Sequence, residues 1–267
     1  MQRFCILFIV LLLMNLATCS ACSQSIYHIT WPKDGWILGG SATIAIAASL
    51  VEDSRHPINI QEICRLSRES INWFDRSATY KFSEQISEAS DFLVGLIVVA
   101  PFALLIDTRI RDDWRSCTLM YLETMTLAAS LPSYAKGGVE RIRPFVYNPD
   151  APMDKKMALD PRGSFFSRHT TLAFASAVFL STVWSNYHPR SHLKRYVWAG
   201  SLVAATAVGF MRYESGQHFP SDVITGAGIG SVIGYVIPLL HRVGDEKISV
   251  LPYSTGSQLG VTLRVKM

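Results

Sequence analysis

Cysteine is scarce: the chain has five in 267 residues, and Cys5, Cys19 and Cys22 all fall at its start. Of the remaining two, Cys117 opens an apolar stretch and Cys64 lies in a polar one, so no disulfide is expected to hold the fold. Charge is also sparse. Charged residues make up 17% of the chain, the formal net charge is +4, and the basic residues are scattered, which gives a nucleic-acid partner little support. Low-complexity linkers and internal repeats are missing, so a single domain is expected. The histidines lack the spacing of a zinc site and no run of carboxylates suggests a magnesium cage. Neither a metal nor a cofactor is therefore expected.

What the chain has is apolar length. Arg3 precedes the unbroken run Cys5 to Leu13, and small residues follow around Ala17 to Ala21, the pattern of an export signal over residues 1–22 with the domain over 23–267. Cys19 or Cys22 is the alternative, a lipidated cysteine, although neither follows a good lipobox. Six apolar stretches come next: Trp36 to Val51, Phe92 to Ile106, Cys117 to Ala135, Thr170 to Trp184, Tyr196 to Met211 and Val223 to Leu240. All read as helices, at or just below the roughly 20 residues that cross a bilayer. Gly226, Gly230 and Gly234 form a small-residue face of the kind that packs membrane helices closely. Against embedding stand Glu123 inside the third stretch and a mean hydropathy of only +0.22. The expected fold is all-α, a bundle of about six core helices that is membrane-embedded or membrane-associated. A short C-terminal β-hairpin is expected from Ile248 to Pro252 and Gly260 to Val265, around the turn at Ser254 to Ser257. The polar segment 53–90, with Asn72-Trp73-Phe74-Asp75-Arg76, is expected to be structural.

Three polar clusters sit at the mouths of the apolar stretches. The first holds Lys136 and Arg143-Pro144, the second Ser167-Arg168-His169, and the third Arg212, His218 and Asp222. Lysine and forked guanidinium groups suit the oxygens of a tetrahedral oxyanion. His169 and His218 add groups that titrate near neutrality when unperturbed. Gly137-Gly138 should let the backbone bend so that Lys136 and Arg143 converge, with Pro144 ending any helix. Ser167 stands where an N-cap belongs, directing free backbone N–H groups at an anion. Pro220 marks the first turn of the last helix and leaves Asp222 close enough to accept the Nδ1 proton of His218. Arg141 and Glu214 read as solvated side chains or local ion pairs.

Six residues separate Lys136 from Arg143, five separate Arg212 from His218, and three separate His218 from Asp222. With this order, the chain resembles the type 2 phosphatidic acid phosphatase superfamily over roughly residues 90 to 240, a group that also holds bacterial class A acid phosphatases and vanadium haloperoxidases. It departs from that family at Phe166 and Arg168, where Pro and Gly are usual, and at Met211, where Ser is usual. The resemblance implies a phosphatase in which His218 is the nucleophile, His169 the acid for the leaving group and Asp222 the group that orients His218. It further implies that Lys136, Arg143, Ser167, Arg212 and the backbone at Arg168 hold the phosphate.

The implied substrate is a phosphorylated lipid such as phosphatidate, undecaprenyl diphosphate or lipid A. The alternatives are a soluble periplasmic acid phosphatase acting on small phosphoesters, a vanadium haloperoxidase, and a non-catalytic membrane protein. If an export signal is cleaved and all six stretches cross, the clusters face the cytoplasm. Yet Arg109, Arg111, Arg115, Arg190, Lys194 and Arg195 lie at the opposite end, and positive loops prefer the cytoplasm. The simplest reconciliation is that Trp36 to Val51 does not cross, leaving the site facing the periplasm from the inner membrane.

Overall fold

A computed structural model describes residues 25–53, 56–158, 160–243, 248–254 and 259–265. The expected export signal and the lipidation candidates lie outside the described residues. Six long helices make the body: α1 (Trp31–Asp53), α2 (Glu84–Val99, continued by a 3-10 segment, Ala100–Ile106), α3 (Trp114–Val139), α4 (Arg168–Tyr187), α5 (Lys194–Glu214) and α6 (Pro220–His241). The chain ends in an antiparallel hairpin, β1 (Ile248–Ser254) and β2 (Leu259–Val265), in the register Ile248 to Val265 through Ser254 to Leu259.

α2, α4 and α6 begin before their apolar residues do, because polar caps start them. Ser83 Oγ accepts from Ile86 N at 3.3 Å ahead of α2, and Ser167 Oγ accepts from Thr170 N at 3.3 Å ahead of α4. Pro220 opens α6, and Asp222 Oδ2 accepts from Phe219 N at 3.0 Å. α3 ends differently from expectation. Gly137 and Gly138 remain helical, and the chain turns at Glu140, which adopts the left-handed region (φ 47°). The physical reason lies in packing: a Cβ on Gly137 would collide with the Val51 side chain, so this glycine serves the approach of α1 to α3. Pro144 begins a short 3-10 turn, Pro144–Tyr147, rather than ending a helix.

α4 is central and packs against α2, α3, α5 and α6, while α1 lies along α3. The glycine face of α6 lets it lie on the backbone of α4: a Cβ on Gly230 or Gly234 would meet the carbonyl oxygen of Thr171 or Ala175. The buried face of α4 is mostly small, with Thr170, Thr171, Ala173, Ala175, Ser176, Ala177 and Ser181. Large apolar side chains face outward instead; Phe92, Ile106, Val203, Phe210, Ile224 and Val232 are all at least 60% exposed. Small residues inside and large ones outside is the arrangement of a bundle surrounded by lipid. Pro32–Val51, Glu84–Ile106 and Pro220–His241 are each long and apolar enough to cross a bilayer.

The expectation that Trp36 to Val51 does not cross meets an obstacle here. α1 runs the full height of the bundle, with Val51 beside Gly137 near one end and Asp34 beside His241 at the other. It is long and apolar enough to be a candidate span, although it is shorter and less apolar than Glu84–Ile106 and Pro220–His241. The two described cysteines are free, Cys64 exposed and Cys117 buried.

Candidate active site

Four helix ends converge at one end of the bundle: the last turns of α3 and α5, and the first turns of α4 and α6. Together with the N-terminal half of α2 and the 141–164 connection they surround a cavity of about 380 Å³. Five basic side chains line it, Lys136, Arg143, Lys155, Arg168 and Arg212, against two carboxylates, Asp91 and Asp160. The three sequence clusters therefore meet in space.

Each fixed cation is aimed by a partner. Arg143 donates through Nη2 to Asp160 Oδ1 at 2.7 Å, through Nε to Asp160 O at 3.0 Å and through Nη1 to Gln217 Oε1 at 2.7 Å. Arg212 Nη1 donates to Ser87 Oγ, Ser90 Oγ and Asp91 Oδ1 at 3.0–3.1 Å, while its buried Nε has no hydrogen-bond partner among the described residues. His169 Nε2 lies 2.9 Å from the same Asp91 oxygen. Asp91 thus couples the second cluster to the third. Desolvation by the cavity wall favours the neutral acid at Asp160, but Arg143 and Lys136 outweigh it and hold that carboxyl at about 2.

His218 is buried behind this cavity. Its Nδ1–H donates to the carbonyl oxygen of Ser164 at 2.7 Å, which leaves Nε2 as the unprotonated nitrogen of the neutral ring. Nε2 is buried and has no hydrogen-bond partner among the described residues. Burial first, then Arg143, Lys136 and Arg212, push the imidazole well below its usual range. Burial first, then Arg212, His218 and Arg168, depress His169 to about 2. The expectation that both rings titrate near neutrality is therefore corrected, the reason being a desolvated site crowded with positive charge.

Asp222 departs from expectation as well. Its Oδ2 lies 3.8 Å from His218 Nδ1, too far for the expected hydrogen bond, and the Ser164 carbonyl takes that proton instead. Asp222 is fully buried and occupied by other donors: Ser164 Oγ at 2.6 Å, Phe219 N at 3.0 Å and Arg141 Nη1 at 2.5 Å. It holds Ser164, and Ser164 holds His218. Arg141, read from sequence as a solvated side chain or a local ion pair, is the anchor of this arrangement. It also donates to Asp75 Oδ2 at 2.8 Å and lies 4.0 Å over the Phe219 ring. Asp75 in turn accepts from Ser221 N and Oγ, so the 53–90 segment braces the start of α6. Glu214, by contrast, pairs with Lys81, at 2.9 Å.

Ser167 is fully buried and does not line the cavity; its Oγ accepts from Thr170 N and from Thr170 Oγ1 at 2.8 Å. It is the α4 cap, as expected. Arg168 is exposed on the cavity wall at the first position of α4. Asp91, Asp160, Ser164 and Gln217 are the site residues that the sequence clusters did not include.

Buried cations, a neutral imidazole with one nitrogen fixed and the other free, and the N-terminus of α4 thus lie together, groups of the kind that suit an oxyanion. Residues 118–244 match the PAP2 superfamily model. Over those residues the chain is similar to the PAP2 superfamily. Among solved structures it resembles a transmembrane PAP2-type phosphatidylglycerolphosphate phosphatase from Bacillus subtilis, at 22% identity over 78% of this chain and 94% of that one, with a TM-score of 0.44. No curated protein sequence matches the chain.

Proposed function

We propose that the protein is a membrane phosphatase that removes a phosphate, as a monoester or a diphosphate end group, from a lipid through a phosphohistidine on His218. The observation that carries this reading is the free Nε2 of His218, held as an unprotonated nitrogen by the Ser164 carbonyl among Lys136, Arg143 and Arg212. Nε2 attacks phosphorus, the bond to the leaving oxygen breaks, and water later cleaves the N–P bond. Lys136, Arg143 and Arg212 neutralise the non-bridging oxygens, where preorganised donors act most strongly as charge shifts. The first free N–H groups of α4, kept open by the Ser167 cap, point to the same anion.

His169 protonates the leaving oxygen. Burial first, and then the positive surroundings, keep its ring neutral, and an incoming phosphate dianion cancels part of that positive field, so protonation of His169 is tied to substrate binding. Asp222 acts at one remove, through Ser164. The lipid assignment is supported by the outward-facing apolar surface and by the spans that carry the site at their ends. We place the site on the periplasmic side, since the loops with Arg109, Arg111, Arg190 and Lys194 lie at the other end of the bundle.

The test is a panel of lipid and soluble phosphates assayed on detergent-extracted and wash-released fractions. Activity on lipid phosphates in the detergent fraction is expected. Turnover of soluble esters alone, released by washing, would overturn the reading.

A further inference from the structure

A second polar cluster lies at the opposite end of the bundle from the phosphate site. Asp34 from α1, Glu123 from α3 and His241 from α6 are far apart in sequence and all buried, each at most 1% exposed. One ligand-capable atom of each lies within 4.8 Å of those of the other two. His241 Nδ1–H donates to the Ile237 carbonyl at 2.8 Å, turning Nε2 toward Asp34 Oδ1 at 2.8 Å and Glu123 Oε2 at 3.4 Å. A backbone carbonyl on the remote nitrogen is how metal-binding imidazoles are oriented. The second oxygen of Asp34 is engaged by Thr30 N at 2.6 Å, which leaves Oδ1 directed inward.

Glu123 supplies the independent observation. Both of its carboxylate oxygens are buried with no hydrogen-bond partner among the described residues. An unsatisfied buried carboxylate is costly, and it points at a nitrogen and a second carboxylate that are themselves acceptors when the imidazole is neutral. What such a convergence lacks is a cation. Lys33 is the nearby candidate, but its ammonium donates to the Leu240 carbonyl at 2.8 Å.

We infer that Asp34, Glu123 and His241 bind one divalent transition-metal ion, with zinc the best match to one imidazole and two carboxylates, and that the ion ties α1, α3 and α6 together. The 22 residues of α6 rise about 33 Å, so this ion stands well away from the phosphate chemistry and its role is structural. Spacing along the chain gave no hint of it, because each ligand comes from a different helix.

The experiment is metal analysis of the detergent-purified full chain after dialysis against Zn²⁺ and, separately, Mn²⁺, together with thermal unfolding in zinc and in chelator. One metal per chain and a midpoint that falls in chelator are expected, with the Glu123→Gln protein reduced to background metal. If that variant does not fold, Asp34→Asn is read in the same way, and the wild-type metal content decides regardless. Metal-free wild type with an unfolding midpoint indifferent to chelator would overturn the inference, and so would full metal retention by a folded Glu123→Gln protein.

Discussion

Removing Arg141 tests how His218, the proposed nucleophile, is held. Its guanidinium spans Asp222, fully buried, and Asp75, 2% exposed, and it stacks on Phe219. Arg141→Ala strands two buried carboxylates, and breaking a buried pair from one side costs about 3–5 kcal/mol. Two things pull toward the lower figure. The Arg141 side chain is 24% exposed, and each carboxylate keeps other donors, Ser164 and Phe219 for Asp222, Asn72 and Ser221 for Asp75. About 3 kcal/mol corresponds to a fall of roughly 6–12 °C in the unfolding midpoint for a domain of this size. Because Asp222 holds Ser164 and the Ser164 carbonyl holds His218, the proposed nucleophile also loses its setting, and kcat should fall about 100-fold with a smaller change in KM. Arg141→Lys, which keeps the charge but not the fork, should lie between. Thermal unfolding in detergent and phosphate release measure the two effects. An Arg141→Ala protein that melts and turns over like wild type would refute the chain of contacts from Arg141 to His218.

The remaining expectations are these. His169 and His218 are neutral in the folded chain while unfolded imidazoles take up protons near 6.5, so the unfolded state binds more protons below that value and stability falls on acidification. The loss is up to about 1.4 kcal/mol per pH unit per histidine, and an unfolding midpoint flat between about pH 7 and pH 5 would contradict it. Arg168→Gly removes the exposed cation of the cavity wall and should raise KM for a lipid diphosphate about 10-fold more than for a monophosphate, the scale of one charged hydrogen bond; an unchanged substrate profile would exclude a selectivity role. Cys64 is exposed and lies near Glu62, which pairs with Arg162 on the site side. An impermeant maleimide should therefore label Cys64 in intact cells, and an introduced Arg190→Cys only after permeabilisation, read by peptide mass spectrometry; the reverse pattern would turn the site toward the cytoplasm.

Much of the bundle was legible because apolar runs declare helices, and the polar caps at Ser83, Ser167 and Phe219–Asp222 explain why α2, α4 and α6 start earlier than those runs. The polar groups that meet at one end of the bundle were legible for a related reason: Lys136, Arg143, His169, Arg212 and His218 lie in short clusters next to helix ends. Their partners were not. Asp91 and Asp160 carry no periodic or motif signal, and only the packing of α2 and of the 141–164 connection brings them to the cations. Asp222 misled because proximity in sequence suggested a bond to His218, whereas capping Phe219 and pairing with Arg141 turn its oxygens elsewhere. Whether α1 crosses was read from the charges of the loops, a signal separate from the helix's own length and apolarity, which make it a candidate span.

His218 as nucleophile is the central claim. Rapid-quench mass spectrometry of the enzyme during turnover, with alkaline work-up to preserve phosphoramidate, tests it directly. The account predicts phosphate on His218 of the wild-type chain, and neither phosphate nor turnover in a folded His218→Asn protein. Sustained turnover by that variant, or phosphate trapped on a different side chain, would contradict it.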